Sequence, residues 1–133
     1  MYIKQRQLEN LKHLLKPGKV VVIYGARRTG KTTLLNEYLK TEPEPYLLVS
    51  GEDIIIQGYL SSQSIEKLKA FVGNNRLLVI DEAQKVQNIG INLKLIVDHI
   101  PGIRVIATGS SSFDLARSVG EPLTGRKNTL IQY

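Results

Sequence analysis

The sequence predicts an α/β fold, a parallel sheet sandwiched between helices, and three observations carry that expectation. Apolar, β-branched runs alternate along the chain with segments of helical periodicity. Residues Gly25-Ala-Arg-Arg-Thr-Gly30-Lys31-Thr32 match the pattern G-x-x-x-x-G-K-[ST] and stand between one such run and one such segment. Three polar clusters, at 25–33, 81–84 and 108–112, each follow an apolar run directly. With parallel strands and right-handed crossovers, all three reach the carboxyl edge of the sheet, where ligands of such folds sit.

The elements follow in order. Residues 4–16 read as an amphipathic helix with Leu8, Leu11, Leu14 and Leu15 on one face, stopped by Pro17-Gly18. Residues 1–18 are thus a leading helix and turn, and 19–133 the α/β core of one domain. Lys19 to Tyr24 is a strand of the kind buried on both faces, and Leu34, Leu35, Tyr38 and Leu39 mark the helix after the glycine loop. Thr41 to Pro45 is a break, Tyr46 to Val49 a second strand, and 50–62 an acidic, interrupted loop. A helix over 63–72, capped by Ser62 or Ser64, ends at Gly73-Asn74-Asn75. Leu77 to Ile80 is the third strand, Gly90 to His99 a helix stopped by Pro101-Gly102, and Ile103 to Ala107 the fourth strand. A short helix over 113–118 and a fifth strand over Thr129 to Tyr133 complete the chain.

The glycine loop carries the chemistry. Gly25 and Gly30 let consecutive amides turn inward around phosphate oxygens, together with the backbone of Arg27, Arg28 and Thr29. The helix beginning near Lys31 adds its N-terminal amides, including those of Thr32 and Thr33. Lys31 is expected to reach the β- and γ-phosphates and the Thr32 hydroxyl to ligate Mg²⁺. Four apolar residues ending in Asp81-Glu82 form the Walker B pattern. It gives Asp81 to the metal with Thr32, and Glu82 to the acceptance of a proton from an attacking water. Thr108-Gly109-Ser110 places hydroxyls near the γ-phosphate, with Ser110 favoured and Thr108 second, unless they cap the following helix instead. Arg126 is a candidate arginine finger, in cis or toward a neighbouring subunit, or alternatively part of a surface turn.

Composition narrows the rest. With no cysteine, disulfides and thiolate metal sites are excluded. His13 and His99 lack ligand spacing and read as surface residues. No apolar run approaches the ~20 residues of a membrane span, and the N-terminus lacks a signal-peptide core, so a cytoplasmic protein with no membrane partner is expected. The net charge of +6 is uneven, with nine Lys/Arg in residues 1–40 and only acids (Glu42, Glu44, Glu52, Asp53) among the charges of 41–60. The basic third offers weak support for nucleic-acid contact, since a phosphate loop and a solvated helix account for much of it. Gln5, Arg6 and Gln7 are weak candidates to lie beside an adenine base.

Four motifs in register then resemble a known group. Gly-Ala-Arg-Arg-Thr-Gly-Lys-Thr-Thr, Leu-Val-Ile-Asp-Glu-Ala-Gln, Ala-Thr-Gly-Ser-Ser-Ser and Leu-Thr-Gly-Arg look like the prokaryotic AAA-type ATPase family, across residues 19–133. In that family this core precedes a C-terminal domain of unknown function, and this chain looks like the isolated core. The resemblance implies a P-loop NTPase sandwich with a five-stranded sheet of order 5-1-4-3-2. It also implies Asp81 as metal-associated, Glu82 as water-activating and Ser110 in the sensor position, with ATP or ADP and Mg²⁺ as cofactors.

The leading functional expectation is an Mg²⁺-dependent ATPase core that moves an attached domain or partner protein. Two alternatives stand beside it: a nucleotide-operated switch with negligible turnover alone, and a nucleic-acid motor, suggested by the likeness of Asp-Glu-Ala-Gln to helicase boxes. GTP is disfavoured because no Asn-Lys-x-Asp motif occurs. A homo-oligomer is compatible with a finger acting in trans.

Overall fold

The computed structural model describes residues 5–24, 30–109 and 127–132, and side chains from 8 to 23 and from 34 to 109. The helices and strands run α1 (Gln5–Leu14), β1 (Val20–Tyr24), α2 (Gly30–Leu39), β2 (Tyr46–Ser50), α3 (Ile54–Leu60), α4 (Ile65–Val72), β3 (Leu77–Asp81), α5 (Ile89–His99), β4 (Arg104–Gly109) and β5 (Lys127–Gln132). A 3-10 turn, Ala83–Lys85, lies between β3 and α5. The five strands are all parallel in the order β2-β3-β4-β1-β5, the order 5-1-4-3-2 that the family resemblance implies.

Period two within the strands explains the layers. In β1, Val20 and Val22 face one core while Val21 and Ile23 face the other. The first core packs Leu60, Leu68, Val72, Leu93 and Ile96 of α3, α4 and α5 against the sheet. The second packs Leu11 and Leu15, at the end of α1, with Leu34, Leu35, Tyr38 and Leu39 of α2 on the opposite face. Because both faces are covered, β1, β3 and β4 are continuous apolar runs rather than alternating ones.

The segment 50–62, expected as loop, contains α3. Asp53 caps it, its Oδ1 accepting from the Ile55 and Ile56 amides at 2.8 and 3.4 Å. Periodicity concealed this helix because Ile54 and Ile55 are 81% and 72% exposed and only Leu60 is buried. The next helix starts at Ile65, with Ser64 as its cap, because Gln63 sits at a φ of 51° outside the helical region. Buried Asn92 of α5 holds that turn, its Oδ1 accepting from the Gln63 amide at 2.7 Å and its Nδ2 donating to the Asn88 carbonyl at 2.9 Å. β4 runs to Gly109, so Thr108 lies inside the strand rather than in the loop after it. The expected helix over 113–118 lies outside the described residues.

At the amino edge of the sheet, Arg104 opens β4 and ties it to the chain after α2. Its guanidinium makes a two-pronged pair with Glu42, at 3.0 Å from Nη1 and 2.7 Å from Nη2. Nη2 also reaches Glu44 at 3.1 Å, and the Tyr38 hydroxyl donates to Glu42 at 2.7 Å. Burial pushes the Glu42 carboxyl up, but hydrogen bonds from Arg104, Tyr38 and the Glu44 amide outweigh it and hold the group below its ordinary 4.5. Tyr38 is pushed up to about 12, first by burial and then by its bond to anionic Glu42.

Candidate functional site

Strand register assembles the opposite, carboxyl edge. Tyr24 pairs with Gly109, Ile80 with Ala107, and Ser50 with Asp81. The last residue of β1 before the glycine loop, the end of β4 and the end of β3 therefore come level. The helix after the loop begins at Gly30, so Gly30, Lys31, Thr32 and Thr33 form the first turn of α2 at the same edge. Their side chains, and all of Gly25, Arg27, Arg28, Thr29, Ser110 and Arg126, lie outside the described residues.

The Asp81–Glu82 pair is held by contacts from three neighbouring segments. The Thr108 hydroxyl, fully buried in β4, donates to Asp81 Oδ1 at 2.5 Å. Thr108 Oγ1 in turn accepts from the Glu82 amide at 3.4 Å. From the β2 side, the Gly51 amide donates to the Asp81 carbonyl at 2.7 Å. Glu82 then turns off the strand at φ 52° and ψ 47°, a left-handed conformation unusual for a residue with a side chain. Such outliers persist where the surroundings over-determine them. A Cβ on Gly51 would stand 2.3 Å from the Glu82 carbonyl oxygen, so glycine is the residue that lets β2 end against this turn. Glu82 is 9% exposed, and its Oε1 accepts from the Gln84 amide Nε2 at 2.8 Å across the 3-10 turn.

The arrangement fits a hard divalent cation shared with phosphate. Asp81 is partly exposed and, with Oδ1 engaged by Thr108, its carboxylate still offers Oδ2 to a cation directly or through a bridging water. Among the described residues no group of three or more His, Cys, Asp and Glu could hold an ion by itself. Mg²⁺ is ordinarily bound in this manner, by one or two protein oxygens with waters and substrate phosphates. His13 and His99 are both exposed. A shallow groove of about 500 Å³ lined by residues including Lys40, Tyr46 and Leu48 lies beside β2, toward the amino edge and away from these carboxylates.

Of the sequence candidates, Asp81 and Glu82 stand together, with Thr108 as the hydroxyl that contacts both. Two residues went unassigned. Gly51 could be suspected only as a glycine closing a strand. Gln84 was visible as the last member of the Asp-Glu-Ala-Gln cluster but had no role there.

The AAA domain family pattern matches residues 17–133. The chain is 32% identical over 115 residues to the uncharacterized protein MJ1544 of Methanocaldococcus jannaschii, covering 84% of this chain and 26% of that protein. It is 31% identical over 128 residues to the uncharacterized protein Rv2008c of Mycobacterium tuberculosis, covering 95% of this chain and 28% of the other. It thus spans about a quarter of the length of these relatives. Among solved structures, the Walker-type ATPase PABY2304 of Pyrococcus abyssi superposes with a TM-score of 0.66 at 16% identity, over 100% of this chain and 54% of that one. Domain III of the Thermotoga maritima replication initiation protein DnaA gives 0.59 at 19% identity, over 94% and 59%. At these identities the structural likeness is one of fold. Among the described residues no helix is long and apolar enough to cross a membrane.

Proposed function

The chain belongs to the AAA domain family, and on that premise we propose that it is an ATP-binding, Mg²⁺-dependent ATPase core that drives an attached domain or partner protein. The observation that carries this reading is Thr108, a buried hydroxyl donating to Asp81 and accepting from the amide of Glu82, at the sheet edge where β1 runs out toward α2. A merely solvated acidic turn would not need such a tie.

In this reading the amides of Gly25 to Thr33 and the Lys31 ammonium cradle the phosphates, and Thr32 and Asp81 hold the metal. Bound Mg²⁺ supplies neutralisation of the phosphate oxygens as charge develops on them. Glu82 accepts a proton from water as the water oxygen bonds to the γ-phosphorus. The bond from that phosphorus to the β–γ bridging oxygen breaks, and ADP keeps the electron pair. Ser110 orients the water or senses the γ-phosphate, and Arg126 serves as the finger.

The test is calorimetry of ATP and ADP binding with Mg²⁺, followed by phosphate release. Glu82→Gln is expected to bind nucleotide normally and lose about 10²- to 10⁴-fold in turnover. Lys31→Ala is expected to lose binding. An unchanged rate in Glu82→Gln would refute the base assignment. The alternative reading is a nucleotide-operated switch with background turnover. A protein-dependent rate abolished by Lys31→Ala would reject it.

A further inference from the structure

Gln84 has no part in the reading above, yet it touches the residue on which that reading turns. The left-handed backbone of Glu82 and the 3-10 turn Ala83–Lys85 fold the chain back within two residues. Gln84 Nε2 thereby meets Glu82 Oε1 at 2.8 Å. A carboxylate only accepts, so the amide nitrogen must face Glu82.

The backbone of Glu82 is restrained separately. Its amide donates to Thr108 Oγ1, and its carbonyl leaves room only for a glycine at position 51. These contacts place the Cα but leave the side-chain torsions open. The amide of Gln84 engages one carboxylate oxygen and so sets which way the carboxylate plane faces.

We propose that Gln84 is a positioning residue for Glu82, locking the carboxylate rotamer in which it takes the proton from the attacking water. The proposal rests on the reading of Glu82 as the base. Misdirecting a catalytic group by about an ångström costs up to ~100-fold in rate, with no need for any change in nucleotide affinity. Gln84→Met keeps the length and bulk of the side chain and removes the donor. Gln84→Glu keeps the shape and sets acceptor against acceptor.

Two measurements decide it. In the nucleotide-free protein, the side-chain amide signal of Gln84 in a nitrogen-15 spectrum is identified by its loss in Gln84→Met. It is expected to shift in Glu82→Ala while signals of distant residues stay in place. In steady-state phosphate release, Gln84→Met is expected to lower kcat by ~10- to 100-fold with KM and nucleotide affinity within twofold of wild type. Gln84→Glu is expected to fall further, because two facing carboxylates offer no donor between them. In a Glu82→Gln background, Gln84→Met is expected to cost nothing more, because the two act as one unit.

An amide signal indifferent to Glu82→Ala overturns the proposal whatever the turnover. So does an unchanged kcat in Gln84→Met alongside a crippled Glu82→Gln, which leaves the base reading intact. Equal losses from Gln84→Met in both backgrounds also overturn it, by making the effect structural. An unaffected Glu82→Gln rejects the base reading itself, and with it the positioning role.

Discussion

Replacing Thr108 by valine isolates the tie between β3 and β4. The side chain is fully buried, and valine is nearly isosteric, so no cavity term enters. The substitution deletes a hydrogen bond to a carboxylate at 2.5 Å, worth about 1.5–3 kcal/mol because its acceptor is charged. It also leaves the Glu82 amide without its 3.4 Å acceptor, a long bond worth about 0.5 kcal/mol, at the bottom of the neutral range. The new methyl group returns about 0.8 kcal/mol of burial. Water can reach partly exposed Asp81, which holds the charged term to the middle of its range. The net expectation is a loss of about 2 kcal/mol, roughly a 30-fold change in the folding equilibrium. Thr108→Ser keeps the hydroxyl, loses one methyl and should cost about 1 kcal/mol. Urea unfolding at neutral pH reads both through the midpoint, with the slope unchanged. Valine no more costly than serine would show that the hydroxyl does not hold Asp81 and Glu82 in place.

Gly51→Ala places a Cβ 2.3 Å from the backbone oxygen of Glu82, which no flexible side chain can relieve, so about 1–3 kcal/mol of stability and most of the turnover should be lost. Native stability and turnover within error of wild type would refute the contact. Glu42 is held below its ordinary value in the fold, so its contribution is fully present above pH 4.5 and is lost as pH falls through the folded value. Urea midpoints should therefore drop more steeply toward acid in wild type than in Glu42→Gln, which itself costs about 2 kcal/mol at neutral pH by removing the charged, two-pronged partner of Arg104 while its contact with Glu44 remains. Tyr38 shows the opposite sense: its pKa is raised, so its contribution is complete below pH 10 and lost as pH rises through about 12. Tyr38→Phe should flatten that alkaline limb, and tyrosinate absorbance should find one tyrosine ionising late.

Much of the fold was legible because burial leaves a pattern in a single sequence. β1, β3 and β4 lie between two helical layers, so nearly every side chain in them is apolar, and each run ends where the chain meets the carboxyl edge. The leucines of α1 and α2 recur at helical spacing because each helix covers one face of the sheet. The family pattern and the strand order agree with that reading. α3 escaped it. Its start is set by the Asp53 cap, and two of its three isoleucines point to solvent, so its apolar residues trace no buried stripe.

The residue types that follow each apolar run can be read from the letters alone: Gly30-Lys31-Thr32 after β1, Asp81-Glu82 at the end of β3, and Thr108 after Ala107, although β4 itself runs on to Gly109. Such positions follow from local signals, apolar runs and the turn chemistry that ends them. Which of these residues touch is set by strand register. That Thr108 meets both Asp81 and Glu82 depends on β3 and β4 lying adjacent in register, Ile80 opposite Ala107. That Gly51 must be glycine depends on Ser50 pairing with Asp81, thirty-one positions along the chain, and on the left-handed turn at Glu82. A shift of one residue in either pairing would send the side chains to opposite faces and dissolve the site without changing a letter of the sequence.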